Sequence, residues 1–206
     1  MIRAPDSIEA STPSPMKPIL NVITCSTRPK RVGPAVAAWF ERVAREHGGF
    51  EVVACDLKEL DLPLLDEPEH PRLRKYQHAH TQRWSGLTAA ADAFVFVTPE
   101  YNFGPPAALL NALQYLSAEW AYKPAGFVSY GGMSGGIRGV QVTKQLMTTQ
   151  RLVPLLEAVA VQNVATLIGA DGQLQANAMH ADSAAAMLKE LARWAAALRT
   201  LRVQPA

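Results

Sequence analysis

The sequence predicts an α/β protein: a parallel sheet with helices on both faces. Three observations predict it. Five short runs of β-branched and aliphatic residues recur along the chain. A stretch with helical periodicity follows each of them. The strongest runs are apolar at consecutive positions, as strands covered on both faces must be.

Ile19–Thr24 (ILNVIT) is the first such strand. Pro34–Arg45 follows, with Val36, Trp39, Phe40 and Val43 on one helical face. Gly33–Pro34 opens this helix and Gly48–Gly49 closes it, the expected placement of proline and glycine. Phe50–Cys55 is the second strand. The segment 60–71 carries three prolines and reads as a loop, and 72–91 reads as a polar helix. Ala93–Thr98 (AFVFVT) is the third strand. A helix over 105–117 places Leu109, Leu110, Leu113 and Leu116 together. Pro124–Tyr130 is the fourth strand, 131–139 a glycine-rich loop, and 140–150 a helix. A fifth strand is expected within 158–168, and a closing helix over 181–202. There is no internal repeat and no interior linker. Residues 18–206 are therefore read as one domain. Residues 1–17, rich in Pro, Ser and Ala, read as a disordered tail in which Met16 is a possible alternative start.

Composition narrows the function. Of 206 residues, 49% are hydrophobic and 18% charged, enough apolar material for one core. A net charge of +2, dispersed along the chain, is too small for a nucleic-acid footprint. No apolar run reaches the roughly 18 residues of a membrane span. The two cysteines, Cys25 and Cys55, show no metal-type spacing and suit a reducing cytoplasm. His78 and His80, two apart in an expected helix, make a poor metal pair. His47, His70 and His180 read as surface or loop residues, so no metal is expected.

In open α/β sheets, ligands bind beyond the carboxyl ends of the strands. Three loops there carry unusual residues. The first, 25–33 (CSTRPKRVG), enters a helix N-terminus, where unpaired N–H groups and the dipole suit a phosphate. Ser26 and Thr27 add hydroxyls, and Arg28 and Arg31 add planar charged donors. The loop is neither a Walker A motif nor G-x-G-x-x-G. It does fit Cys-x5-Arg, so a cysteine-dependent phosphatase with Cys25 as thiolate nucleophile is a competing reading. Pro29 counts against it by removing one loop N–H. The second loop, 98–105 (TPEYNFGP), sets Tyr101, Asn102 and Phe103 at the end of the strongest strand. Backbone groups and an aromatic wall there suit a flat heteroaromatic ring. The third holds five glycines in the nine residues from Gly131. Glycine lets backbone approach a ligand closely.

At these loops the sequence resembles the NADPH-dependent FMN reductase family, the flavodoxin-fold group that includes quinone, azo-dye and chromate reductases. CSTR at 25–28, PEYN at 99–102 and GGMSGG at 131–136 carry the resemblance, which runs from about Ile19 to Leu167. It implies a three-layer flavodoxin-like fold with a five-stranded parallel sheet in the order 2-1-3-4-5. It implies FMN as cofactor and NADPH or NADH as donor. The acceptor is then a small molecule: a quinone, a flavin, an azo compound or a metal oxyanion. Ser26, Thr27, Arg28 and Arg31 would hold the FMN phosphate. Pro99, Glu100, Tyr101 and Asn102 would line the isoalloxazine, largely through backbone groups, and Gly131 and Gly132 its pyrimidine edge. Tyr101 and Phe103 would wall the nicotinamide or acceptor site. No side chain need act as acid or base, because the flavin carries the hydride. Members are usually homodimers, some homotetramers; helix Ala107–Leu116 with Trp120 and Tyr122 is either interface material or a plain core-facing helix. Cys25 and Arg31 depart from the family pattern of glycine and serine. Strands one and two are neighbours in this topology, which makes a redox pair of Cys25 and Cys55 a hypothesis. A non-catalytic electron-carrier flavodoxin is a further alternative, disfavoured by a pI near 8.6.

Overall fold

The computed structural model describes residues 17–202. The tail expected over 1–17, with Met16, lies outside them save for Lys17. Five strands, β1 (Ile19–Thr24), β2 (Glu51–Asp56), β3 (Ala93–Pro99), β4 (Pro124–Tyr130) and β5 (Val153–Val161), form one sheet in the order β2-β1-β3-β4-β5. Every pairing is parallel. This is the expected flavodoxin-like topology. The chain turns one way from β1 to β2 and the other way to β3, so the crevice between β1 and β3 is the switch point.

Strand β3 shows why these runs are apolar throughout. Phe94 and Phe96 point to one face, into a cluster with Trp84, Leu109, Leu113, Trp120 and Phe127. Ala93, Val95 and Val97 point to the other, against Val36, Phe40, Leu188 and Leu191. Helices α1 (Gly33–His47) and α6 (Ala178–Arg202) supply the second layer. The first layer is built on α3 (Ala79–Ala90), α4 (Ala107–Gln114) and α5 (Ile137–Thr148), with a one-turn helix α2 (Leu57–Leu60) after β2.

Four expectations need correction. The fifth strand begins at Val153 rather than 158, and 164–167 is a 3-10 turn. Pro154 interrupts the apolar run, but β5 is an edge strand, where proline is tolerated. Residues 72–78 are not part of α3: one 3-10 turn (Pro71–Leu73) precedes irregular backbone that is left-handed at Arg74 and extended at His78. His78 is therefore non-helical, and its ring stacks on His80 at 5.2 Å, both beside Asp66. His180 is buried against Trp39 and not at the surface, because α6 begins three residues earlier than expected and turns it inward. Burial lowers its pKa. Trp120 is core: it is fully buried, packs on Trp84 and Phe94, and donates its indole N–H to the Leu113 carbonyl.

Candidate functional site

The first loop leaves the sheet at the switch point. Cys25 N–H still donates to the Val97 carbonyl at 3.0 Å, after which the chain departs. Among the described residues, the N–H groups of Thr27, Arg28, Lys30 and Arg31 have no acceptor. Lys30 adopts a left-handed φ of 53° to make the turn into α1. The result is a run of unpaired donors ahead of a helix N-terminus, the kind of backbone that suits an anion such as a phosphate.

Arg28, Lys30 and Arg31 border a cleft of about 270 Å³, whose walls also include Ser26, Pro99, Tyr101 and Tyr130; Thr27 instead lines a neighbouring cleft with Leu57, Asp61 and Asn111. The Ser26 hydroxyl lies 2.8 Å from the Tyr101 hydroxyl, joining the first loop to the second. The Arg28 guanidinium stands 5.6 Å from the Tyr101 ring centroid. The Tyr130 hydroxyl is buried and has no hydrogen-bond partner. Burial, first of all, pushes its pKa up, with the nearby Cys25 and Tyr101 adding to the shift. Glycine is required at position 33, because a Cβ there would sit 2.7 Å from this hydroxyl.

The second loop is a tight turn. Tyr101 and Gly104 exchange both backbone hydrogen bonds at 2.9 Å, and Asn102 and Phe103 take left-handed φ values of 49° and 68°. The Tyr101 N–H is thus held within the turn. Phe103 is exposed, with the Arg138 guanidinium 4.2 Å from its ring centroid. The Glu100 carboxylate does a separate job. It accepts from the Ser134 hydroxyl (3.2 Å) and from the N–H groups of Arg138 (3.0 Å) and Gly139 (3.2 Å). It therefore ties the second loop to the first turn of α5 and complements that helix dipole.

The third loop is fastened to the end of β5. Gly131 N–H donates to the Val161 carbonyl, and the carbonyls of Gly131 and Gly132 accept from Val164 and Asn163. A Cβ at Gly132 would meet nothing within 4 Å, so that backbone stands open to close approach.

The phosphatase reading fails here. The Cys25 thiol is fully buried among Ile23, Cys55 and neighbouring apolar side chains, and donates to the Ile23 carbonyl. Burial, reinforced by Cys55 and Asp56, pushes its pKa well above the ordinary thiol value, the opposite of an activated nucleophile. Cys25 and Cys55 are both free thiols. Arg31, the other half of that motif, is taken up by Asp56: Nη1 donates to Oδ1 at 2.6 Å and Nη2 to Oδ2 at 2.5 Å. Asp56, Tyr130 and Gly33 were not among the residues expected to act here. Asp56 alone had a legible signal, an acid closing the strand next to a basic loop.

A family model for NADPH-dependent FMN reductase matches residues 19–166. The chain belongs to that family. An NAD(P)H-dependent FMN reductase of Schizosaccharomyces pombe is 43% identical over 121 residues, which cover 58% of this chain and 60% of that protein. One of Saccharomyces cerevisiae is 37% identical over 127 residues, covering 56% and 66%. The chain thus spans about two thirds or less of the length of either relative. Among solved structures, a flavoenzyme NAD(P)H:(acceptor) oxidoreductase of Paracoccus denitrificans superposes with a TM-score of 0.69 at 19% identity, over 87% of this chain and 98% of that one. At that identity the likeness shows the fold. The matched span contains all three loops. A second cleft, of about 310 Å³ between Arg72, Ser117 and Arg151, lies toward the amino ends of β4 and β5, away from those loops.

Proposed function

We propose that this FMN reductase family member binds FMN in the cleft between β1 and β3 and is an NAD(P)H-dependent oxidoreductase acting on a small acceptor. The observation that carries the reading is the run of unpaired N–H groups between Thr27 and Arg31 at the switch point. That run, the partnerless Tyr130 hydroxyl and the open backbone at Gly132 together support a phosphorylated, ring-bearing ligand. Ser26, Thr27 and Arg28 hold the phosphate. Pro99, Glu100, Tyr101 and Asn102 line the ring with Gly131 and Gly132, and Tyr101 and Phe103 wall the acceptor side. Arg31 belongs to this phosphate loop; its role is taken up below.

When bound, FMN would supply the two-electron chemistry, hydride uptake from NAD(P)H and electron transfer to the acceptor. In balance, NAD(P)H and one solvent proton reduce a quinone to its hydroquinone and leave NAD(P)⁺. The chain's own residues bind and orient. The loop donors fix the phosphate end, and Glu100 holds the second and third loops in one arrangement. Donors kept in place before the reaction stabilise developing negative charge without reorganisation.

No helix among the described residues is long and apolar enough to cross a membrane. Two buried free thiols suit a reducing cytoplasm. A homodimer or homotetramer is supported by α4, which carries no charged residue, and by the half-exposed Val142 and Leu146 on α5. A carrier role finds no support in a pI near 8.6.

The test is an absorption spectrum of the FMN-reconstituted, desalted protein, then anaerobic NADPH. Retained flavin bands that NADPH bleaches are expected. Colourless protein overturns the cofactor assignment, and flavin that NADPH leaves oxidised overturns the reductase and favours a carrier.

A further inference from the structure

Resting on the reading of this cleft as the FMN site, we infer that Arg31 and Asp56 form a positioning pair, which keeps the phosphate loop receptive by withdrawing the Ser26 carbonyl from it. Three observations combine. First, Arg31 spends its fork on protein atoms. Both Nη groups bond the Asp56 carboxylate, and Nη1 also donates to the Ser26 carbonyl. Second, Asp56 is itself fixed. It ends β2 in register with Thr24, at the base of the loop, and its Oδ1 accepts the Lys58 N–H at 2.9 Å as the cap of α2. Third, the pair is largely shielded, with side-chain exposures of 12% and 18%.

The consequence is geometric. Ser26 is the second residue of the loop, and its carbonyl belongs to the peptide unit whose N–H is that of Thr27, the first of the unpaired donors. Turned toward the cleft, that oxygen would oppose an anion. Bound to Arg31, it is held aside while the N–H groups stay unpaired. Arg31 also adds little net charge to the cradle, because Asp56 neutralises it. A bidentate arginine pair is rigid, and lysine cannot reproduce it.

This assignment and direct phosphate binding by Arg31 predict opposite results. Removing the Asp56 charge makes the loop more positive, so electrostatics alone tightens anion binding. A guanidinium released from Asp56 would also be freer to meet the phosphate. If the pair positions the loop, the same change weakens binding.

Equilibrium titration of FMN and of riboflavin by flavin fluorescence quenching distinguishes them, using wild type, Asp56→Asn, Arg31→Met, Arg31→Lys and the Asp56→Asn/Arg31→Met double variant. We expect each single variant to raise the FMN dissociation constant about tenfold, as loss of one charge-assisted contact does. The double variant should be no worse than the worse single, since the two residues act as one unit. Riboflavin affinity should stay at the wild-type value throughout, locating the loss at the phosphate and showing the variants folded. Asp56→Asn binding FMN as tightly as wild type or tighter overturns the inference. So does Arg31→Lys matching wild type, which also serves if Asp56→Asn does not fold. Wild-type protein that fails to quench FMN overturns the cofactor reading, and this inference with it.

Discussion

The hydroxyls of Ser26 and Tyr101 meet at 2.8 Å, across 75 residues of sequence. Ser26 follows β1 and Tyr101 follows β3, so this one contact joins the loops on the two sides of the switch-point crevice. It fixes where the Tyr101 ring stands relative to the unpaired N–H groups of the first loop. Tyr101→Phe keeps the ring and removes the bond. A neutral hydrogen bond contributes about 0.5–1.5 kcal/mol. FMN affinity should therefore fall by roughly threefold to tenfold. Ser26→Ala should produce a similar loss, and the pair of substitutions little more than either alone. Fluorescence titration of all three variants measures it; fully additive losses would show that the two hydroxyls work independently.

Tyr130→Phe should act in opposite directions on the free and the loaded protein. The Tyr130 hydroxyl is buried beside Gly33 and finds no protein partner. An unsatisfied buried hydroxyl costs on the order of 1–3 kcal/mol. Its removal should leave the FMN-free protein as stable as wild type or more so in urea. In the proposed site this hydroxyl bonds the ligand, so the dissociation constant for FMN should rise. Lower stability without FMN would mean that the hydroxyl is already satisfied within the fold.

Glu100→Ala should cost stability through α5. The carboxylate caps that helix at two N–H groups and also receives the Ser134 hydroxyl. Loss of such a cap costs about 0.5–2 kcal/mol. Urea denaturation should show a lower midpoint at unchanged slope. Glu100→Gln should recover part of the loss, because its amide oxygen still accepts while the charge on the helix dipole is gone. A wild-type midpoint for Glu100→Ala would show that water replaces the carboxylate at no cost.

How far the sequence could be read follows from which forces set each feature. Strands β1, β3 and β4 are legible because both faces are covered, so residues such as Val22, Phe94 and Phe127 had to be apolar on either face, with few polar positions such as Asn21 and Ser129 between them. Edge position relaxes that demand. Strand β5 tolerates Pro154 and an exposed Leu156, which hid its start. The segment before α3 was read as helix because its polar residues have no pattern that separates helix from loop. It is held instead by long-range contacts: the buried Glu119 accepts from Tyr76, Arg74 and Ser85. At the site, the three loops were legible because a strand end, a helix start and glycine are local signals. The engagement of Arg31 was not, because its partner Asp56 lies 25 residues away and only the β1–β2 register brings the two together.

That same register sets an alkaline limit on stability. Cys55 stands opposite Ile23 in β1, and its thiol is pushed up to about 12, first by burial and then by the adjacent Asp56 charge. In the unfolded chain a cysteine ionises near pH ~8.5. Between those values the unfolded state has lost a proton that the native state keeps. Stability must therefore fall as pH rises through that window. Cys25, raised for the same leading reason, adds to the fall. Lys123 opposes it. Burial lowers its pKa to about 8, below an unfolded value near ~10.4, so over that interval the unfolded state binds the extra proton and stability rises with pH. Urea unfolding at pH 8, 9 and 10, in reductant, separates the contributions. Cys55→Ala should lose the cysteine's share of the decline, narrowing its gap from wild type by roughly 2 kcal/mol between pH 8 and 10. Lys123→Met should steepen the decline over the same range. Parallel pH profiles for wild type and Cys55→Ala would mean that the thiol ionises in the native state as readily as in the unfolded one, which its burial opposes.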